Sequence, residues 1–531
     1  MNPTSETSSK TRRVSLGNVA ALLIVSALSG QILGFLRTKL VNANFLATGP
    51  HSTDAYFAAF NIPDFFFFTL AAGALGVAFM PVLADHLHNG DRKGVWELSN
   101  SLLNLLAIVM AVVGVIIFVF AKPLIHHVVA PHLGPTQLDN AATIMRWLAF
   151  NPLLFTISGI LTSVQQTFGR FFFYAIAPLF YNLTIILSIF VFKHNIGLVG
   201  LGIGAFIGAV LQLLIVVCGL VRTNFHWRPK ILWHSADFRL ILRNLPPRSL
   251  DQGIDQLESI VETRFASNLG SGAVTFYNNA YILQTAPILL IGTAISTAAF
   301  PRLNARLSQG RPDLFRKDFL RILRAMIWIT TPVVVICFFA RGYLSRLIYT
   351  QGNNEISLIF GFLTAAIFFR VIYTIISRWF YAQKDTKTPL FVSIFTISLN
   401  IFLAYHLSRP SAYGVAGLAI AQSIVAAVEV FILGTIMLIR DHGLFNAVFW
   451  GGVMRIISVT GFSVVAAFIM VSLYPLGAAD RGITLGVKLA LIAGVTLLVH
   501  VGISTLFGLE EVRPFLYRLR KLVLKPVKVE Y

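Results

Sequence analysis

Between residues 17 and 508 the chain is a succession of long apolar runs, and little else can be built from such a succession than a bundle of membrane-crossing helices. The runs cover 17–43, 53–83, 95–121, 141–167, 171–193, 197–221, 246–268, 272–304, 321–344, 356–382, 388–407, 412–439, 450–474 and 483–508. Each reaches the roughly 20 residues that a helix needs to span the hydrocarbon core. The expected fold class is an all-α integral membrane protein with about fourteen transmembrane helices. Hydrophobic residues make up 56% of the sequence and charged residues only 12%, against about 25% charged in soluble domains. The first run is too long for a removed signal peptide and lacks a small-residue cleavage site. Cys218 and Cys337 sit inside apolar runs and read as packing residues. No metal-ligand spacing, nucleotide loop or nucleophile motif appears, so no enzyme and no resident cofactor is expected.

The formal net charge of +20 would suit nucleic acid, but the basic residues collect in alternate loops. Arg12 and Arg13 precede the first run, Arg92 and Lys93 follow the second, and Arg170 follows the fourth. Arg222, Arg228, Lys230, Arg239 and Arg243 fill the connection after the sixth; Arg302 to Arg324, Lys384, Lys387 and Arg440 continue the series. The positive-inside rule makes these loops and both termini cytoplasmic, with 1–16 a short tail and 509–531 a basic one on the inner leaflet. The charge is then topology and attraction to anionic lipid, and no nucleic-acid partner is expected.

One segment departs from this apolar pattern. LPPRSLDQGIDQLESIVETRF (245–265) places Asp251, Asp255, Glu258 and Glu262 at helical neighbour spacing, with Gln252 and Gln256 on one flank. Ionisable groups at membrane depth face a bundle interior or a watery cavity, so the stripe predicts a transport pathway. A solvated amphipathic helix with Ile254, Leu257, Ile260 and Val261 on its apolar side is the competing reading.

The chain also repeats itself. DAYFAAFNIPDFFFFTLAAGALGVAFMPVLADHL (54–87) is similar to AVTFYNNAYILQTAPILLIGTAISTAAFPRLNARL (273–307), with Pro81 and Pro301 just beyond matching Ala-Phe pairs. APLFYNLTIILS (177–188) pairs likewise with TPLFVSIFTISL (388–399). These pairs set helices one to six (17–221) against helices seven to twelve (246–439), joined by a basic linker at 222–245 and followed by two further helices at 450–508. Parallel repeats of this kind build transporters whose site lies between the halves.

The runs LSGQILGFLRTKLV (28–41), STDAYFAAFNIPDFF (52–66), FGRFFFYAIAPLFYN (168–182), FASNLGSGAVTFY (265–277) and FYAQKDTKTPLF (380–391) together resemble the MurJ (MviN) family of lipid II flippases, within the multidrug/oligosaccharidyl-lipid/polysaccharide exporter superfamily. The resemblance implies two parallel six-helix lobes around a central cavity, plus two C-terminal helices associated with a groove for a lipid tail. It also implies alternating access that carries an undecaprenyl-pyrophosphate-linked peptidoglycan precursor across the bacterial inner membrane. The expected partners are that precursor and membrane lipids, with the chain acting as a monomer.

By the same resemblance, Arg37 and Asp54 match a family arginine and aspartate at the substrate site, whereas Gln31, Phe67, Ile282 and Thr374 stand where the family carries cations. Arg370, one turn before Thr374, is expected to restore one of those charges, since pyrophosphate needs charge-assisted donors. Glu262 aligns with the ion-binding acid of helix seven and Asn400 with its amide on helix eleven, while Ala404 replaces a second acid. Glu262 and Asn400 are thus candidates for Na⁺, and Glu262 with Asp251, Asp255 and Glu258 equally for a proton. Arg170, Lys384, Asp385 and Lys387 occupy equivalent turns and are expected at a cytoplasmic gate. The acidic stripe and sparse cations leave two other functions open: export of another lipid-linked glycan or of a cationic amphiphile, and a non-transporting scaffold for envelope enzymes.

Overall fold

The computed structural model describes residues 16–72, 79–221, 223, 225–350, 352–514 and 516–517. Among them every regular element is helical. A helix is the element that closes all its backbone hydrogen bonds within one segment, which the hydrocarbon core demands. In chain order these are α1 (Leu16–Asn44), α2 (Asp54–Phe66), α3 (Met80–His88), α4 (Arg92–Leu124), α5 (Pro135–Leu148), α6 (Asn151–Thr167), α7 (Phe172–Phe192), α8 (Val199–Cys218) and α9 (Ala236–Ser267). There follow α10 (Ala273–Pro287), α11 (Ala294–Ser308), α12 (Pro312–Phe339), α13 (Arg341–Ile348), α14 (Asn354–Ala382), α15 (Lys387–Leu407), α16 (Val415–Arg440), α17 (Ala447–Leu473) and α18 (Ile483–Leu506). Twelve helical segments among the described residues are long and apolar enough to cross a membrane. The other two of the fourteen expected runs are α2 with α3, whose junction at 73–78 lies outside the described residues, and the charge-bearing α9.

The repeat seen in the sequence has a counterpart in local structure. α2 passes into a π-helical turn at Phe67–Ala72 before α3, and α10 passes into one at Ile288–Thr293 before α11. Pro63 and Pro287 lie just upstream of or beside these turns, where a missing N–H favours a widened turn. α7 and α15 are both 21 residues long, and each follows a helix that ends in a left-handed residue. Gly169 (φ 69°) ends α6, with Arg170 N donating to Gln165 O; Lys384 (φ 60°) ends α14, with Asp385 N donating to Phe380 O. Both are Schellman-type stops, and only the first uses the residue that adopts this conformation freely.

The chain forms two compact units: the described residues of 1–37, 66–119 and 145–252, and those of 38–65, 120–144 and 253–531. These boundaries differ from the lobes expected at 17–221 and 246–439: the end of α1, α2 up to Phe65, and 120–144 belong with the C-terminal helices, and α9 is shared. In the first unit α7 lies along α8, where Gly200, Gly204 and Gly208 recur every fourth residue. A Cβ on Gly208 would sit 3.0 Å from Tyr181 O, and one on Gly204 would meet Ser188. Small residues at this spacing let two helices approach closely in lipid. Its core joins Phe79, Leu83, Leu102, Ile160 and Val164 with Phe238 and Ile241 from the start of α9. On the far side of α4, Ile108, Val112, Val115 and Val119 are exposed as a lipid-facing stripe.

In the second unit α14 is central and packs on α10, α12, α13 and α16. α17 and α18 dock on α12 through a polar knot, in which Trp328 Nε1 donates to Ser504 Oγ (2.8 Å) and His500 lies between Ser463 Oγ (2.9 Å) and Trp328 O (3.1 Å).

Gly208→Ala should lower stability by about 1–3 kcal/mol through overpacking of the α7–α8 seam. An unchanged thermal unfolding midpoint in detergent would contradict that seam.

Candidate functional site

The acidic helix reaches the centre of the second unit with two of its four carboxylates. Glu258 and Glu262, one turn apart on α9, are both buried, at 7% and 5% exposure. The side chains of Asp251 and Asp255 lie outside the described residues. Glu258 meets Arg370 of α14, whose Nη2 is 3.3 Å from Oε2, and accepts from Asn400 Nδ2 of α15 at 2.7 Å. The same guanidinium approaches Glu429 of α16, with Nη1 3.6 Å from Oε2, and Ser393 Oγ donates to Glu429 at 3.0 Å. Four helices are thereby tied by one half-buried cation and its two buried carboxylates. Glu429 was not singled out in the sequence. Its signal is a lone acid in the apolar run VAAVEVFILG, and an intramembrane acid is a site by default.

Glu262 stands apart from this pairing. Tyr277 of α10 and Asn400 are its polar neighbours, yet Glu262 Oε1, the Tyr277 hydroxyl and Asn400 Oδ1 each lack a hydrogen-bond partner among the described residues. Three buried oxygens on three helices therefore face one another without a close hydrogen bond among the described residues. Their chemistry fits a proton carried by Glu262, or a hard cation that wants oxygen ligands. Arg264, two residues on, turns elsewhere and donates to the carbonyls of His127 and Val128.

A second polar cluster lies at the end of this unit that includes the α1–α2 connection. Asp54 is 1% exposed and accepts from Gly272 N at 2.5 Å, Thr275 N at 2.8 Å and Thr275 Oγ1 at 2.7 Å. A carboxylate at unpaired N–H groups of a helix start is favoured by hydrogen bonding and by the helix dipole. Around it Thr53 Oγ1 meets Thr275 Oγ1 at 3.0 Å, Gln137 Nε2 donates to Gly49 O and Ser52 Oγ, and Asn42 Nδ2 donates to Asn279 Oδ1 at 2.8 Å. Asn61 completes the series through Ser259 and Thr263 of α9. Apart from Asp54, none of these residues was selected from the sequence.

The remaining expected residues are separate from both clusters. Gln31 is exposed and Arg37 half-buried on α1. Arg170 donates to Val221 O at 2.6 Å and Gly219 O at 3.3 Å, closing the end of α8. Lys384 and Lys387 are exposed. Asp385 caps the first turn of α15, accepting from Lys387 N, Thr388 N (both 3.0 Å) and Thr388 Oγ1 (2.6 Å), and pairs with Arg440 at 2.7 Å. Burial alone would raise this carboxyl, but the Thr388 hydrogen bonds and the Arg440 guanidinium outweigh it and hold it at about 2.

A polytopic bundle with repeated helix–π-turn–helix units and buried intramembrane charge has the architecture of a membrane transporter. The chain belongs to the family described as "Lipid II flippase MurJ", whose model matches residues 43–493. Among its relatives, the probable lipid II flippase of Borreliella burgdorferi is 24% identical over 426 residues, covering 79% of this chain and 83% of that protein. The lipid II flippase of Burkholderia cenocepacia is 26% identical over 393 residues, covering 70% and 75%. In fold the chain is similar to a solved lipid II flippase in an inward closed conformation, with a TM-score of 0.75 and 21% identity over 92% of this chain and 98% of that one. An inward-facing multidrug transporter of the superfamily matches at 0.65 and 17% identity, over 80% and 99%.

Two outcomes follow from these contacts. Arg370→Met leaves Glu258 and Glu429 buried without their cation and should cost about 3–5 kcal/mol. Adding Glu429→Gln should recover part of that loss in detergent unfolding; a double variant no better than the single would show that the pairing is not the cause. The lowered Asp385 carboxyl contributes stability that is complete above about pH 4 and lost as pH falls toward 2. The stability gap between the parent and Asp385→Asn should therefore close across that range, and a constant gap would contradict an ionised cap.

Proposed function

We propose that this protein carries lipid II, the undecaprenyl-pyrophosphate-linked peptidoglycan precursor, from the inner to the outer leaflet of the bacterial inner membrane by alternating access. The observation that carries the reading is the family match across residues 43–493, which takes in the paired segments at 54–87 and 273–307. The alternating basic loops favour cytoplasmic termini, so the Asp54 cluster lies at the outer end. It serves there as the outer gate, held shut by hydrogen bonds that water replaces at little cost when the gate opens. The chain breaks no covalent bond of its cargo.

Arg37, with neutral donors such as Gln31, receives the pyrophosphate. Arg370 is already engaged by two carboxylates and serves the lobe rather than the cargo. Coupling runs through Glu262, and the ion is a proton. Glu258, Glu262 and Glu429 set three carboxylates against the one guanidinium of Arg370, and buried charge of one sign is relieved by taking up a proton. Ala404, at the place of the family's second acid, removes an anionic oxygen that would favour Na⁺.

The test is complementation of a strain depleted of its own lipid II flippase. Growth and outward appearance of labelled precursor are expected, whereas export of a cationic dye without rescue would overturn the choice of cargo. In the same strain Glu262→Gln should slow export and flatten its dependence on external pH. Retained pH dependence, or export that follows sodium, would remove the proton role.

A further inference from the structure

The connection leading into α9 carries a site outside the transport machinery described above. Residues 226–232 (HWRPKIL) run across α4 without regular structure, with a tight turn in which Lys230 N donates to Arg228 O at 2.8 Å, and three side chains of that helix hold their backbone. Asn100 donates to His226 O and accepts from Arg228 N, both at 3.1 Å. Asn104 Nδ2 donates to Arg228 O at 2.7 Å and Lys230 O at 3.0 Å, while its Oδ1 accepts from Trp227 Nε1 at 2.9 Å. Ser101 Oγ accepts from Leu232 N at 3.1 Å. Fixing this backbone fixes which side each side chain faces: His226, Arg228, Lys230 and Leu232 on one, Trp227, Pro229 and Ile231 on the other.

The two sides differ in chemistry. Arg228 and Lys230, with Lys93 and Trp96 of α4, line a cleft of about 320 Å³. Its one acid, Glu97, pairs loosely with Lys93 at 3.8 Å, so the cleft keeps an excess of positive charge. Trp227, Pro229 and Ile231 line the opposite side, an apolar groove of about 530 Å³ against Ala107, Ile108 and Ile157. The cleft meets α4 over residues 93–101 and the groove over 103–111. At 1.5 Å per residue the groove lies about 15 Å deeper along the helix. A phosphate at the interface with an acyl chain below it has this order and this separation. The exposed Trp227 lies on this segment and the exposed Trp233 just after it, as tryptophans do at membrane interfaces.

We infer that the 226–232 segment and α4 form a binding site for one anionic phospholipid of the cytoplasmic leaflet, its phosphate held by Arg228 and Lys230 and an acyl chain lying in the groove past Trp227. The inference does not depend on what the transporter carries. Bound lipid would hold the inter-repeat connection against α4 and so steady the entry to α9.

The test is native mass spectrometry of the full-length protein in detergent, titrated with phosphatidylglycerol, with phosphatidylcholine of the same acyl chains, and with inorganic phosphate. Phosphatidylglycerol should bind at least ten-fold more tightly than phosphatidylcholine. R228Q/K230Q should abolish that preference while leaving phosphatidylcholine binding unchanged, and the charge-retaining R228K/K230R should keep most of it. Ala107→Phe, which fills the groove, should weaken both lipids. A preference that survives R228Q/K230Q, or lipid binding untouched by Ala107→Phe, would overturn the site. Inorganic phosphate binding as tightly as the phospholipid would overturn a lipid occupant.

Discussion

A charge taken out of water inside a helical bundle costs several kcal/mol unless a partner and further hydrogen bonds replace its hydration. The second unit is arranged around that requirement. Arg370 cannot lose its charge, so it draws Glu258 of α9 and Glu429 of α16 to itself, and Asn400 and Ser393 of α15 supply the remaining hydrogen bonds. The apolar surfaces of these helices would pack in many registers, because lipid and leucine are nearly equivalent surroundings. The ion pairs select one register by making the others leave a charge unpaired. What is left over, Glu262, is then conspicuous as the carboxylate that the framework does not satisfy.

Asp54 meets the same cost by a different route. It uses backbone and hydroxyl donors at the start of α10 instead of a cation. The difference matters for mechanism. A buried carboxylate bonded to a guanidinium is costly to separate, whereas one bonded to helix-end N–H groups can exchange them for water, which offers equivalent donors. Gly272 contributes a φ of 96° at this point, a conformation that glycine adopts without strain and that lets its N–H reach the Asp54 carboxylate. Ion pairs thus hold the body of the unit, and neutral donors hold the end at the α1–α2 connection.

The helices were legible because membrane insertion writes them as uninterrupted apolar length, and the repeat was legible because prolines and helix stops mark equivalent positions. Asp54 and Glu262 stood out by resemblance and by charge. Their partners did not, since Asp54 meets Gly272 and Asn42 meets Asn279 across more than two hundred residues, and nothing local in either segment encodes the other. Glu429 was hidden by its surroundings: one acid barely lowers the hydropathy of a run such as VAAVEVFILG. The acidic stripe was a sound clue with too uniform a reading. Spacing put Glu258 and Glu262 on one face, and only the neighbouring helices give one a cation and leave the other open.

The two helix stops before α7 and α15 show what has changed between the repeats. Gly169 adopts its left-handed conformation freely, while Lys384 in the same position carries a cost of roughly 1 kcal/mol. Asp385 beside it offsets that cost by capping α15 and pairing with Arg440, so the geometry persists with different chemistry. The reverse holds at position 374. The resemblance places a cargo-facing lysine there, but Thr374 lies 3.1 Å from where a Cβ on Gly292 would be, pressed against the π-helical turn. A packing contact thus stands where the resemblance implies a cation, and Arg370, one turn away, is held by carboxylates. In the second unit the positive charge of Arg370 therefore holds helices together, through Glu258 of α9 and Glu429 of α16.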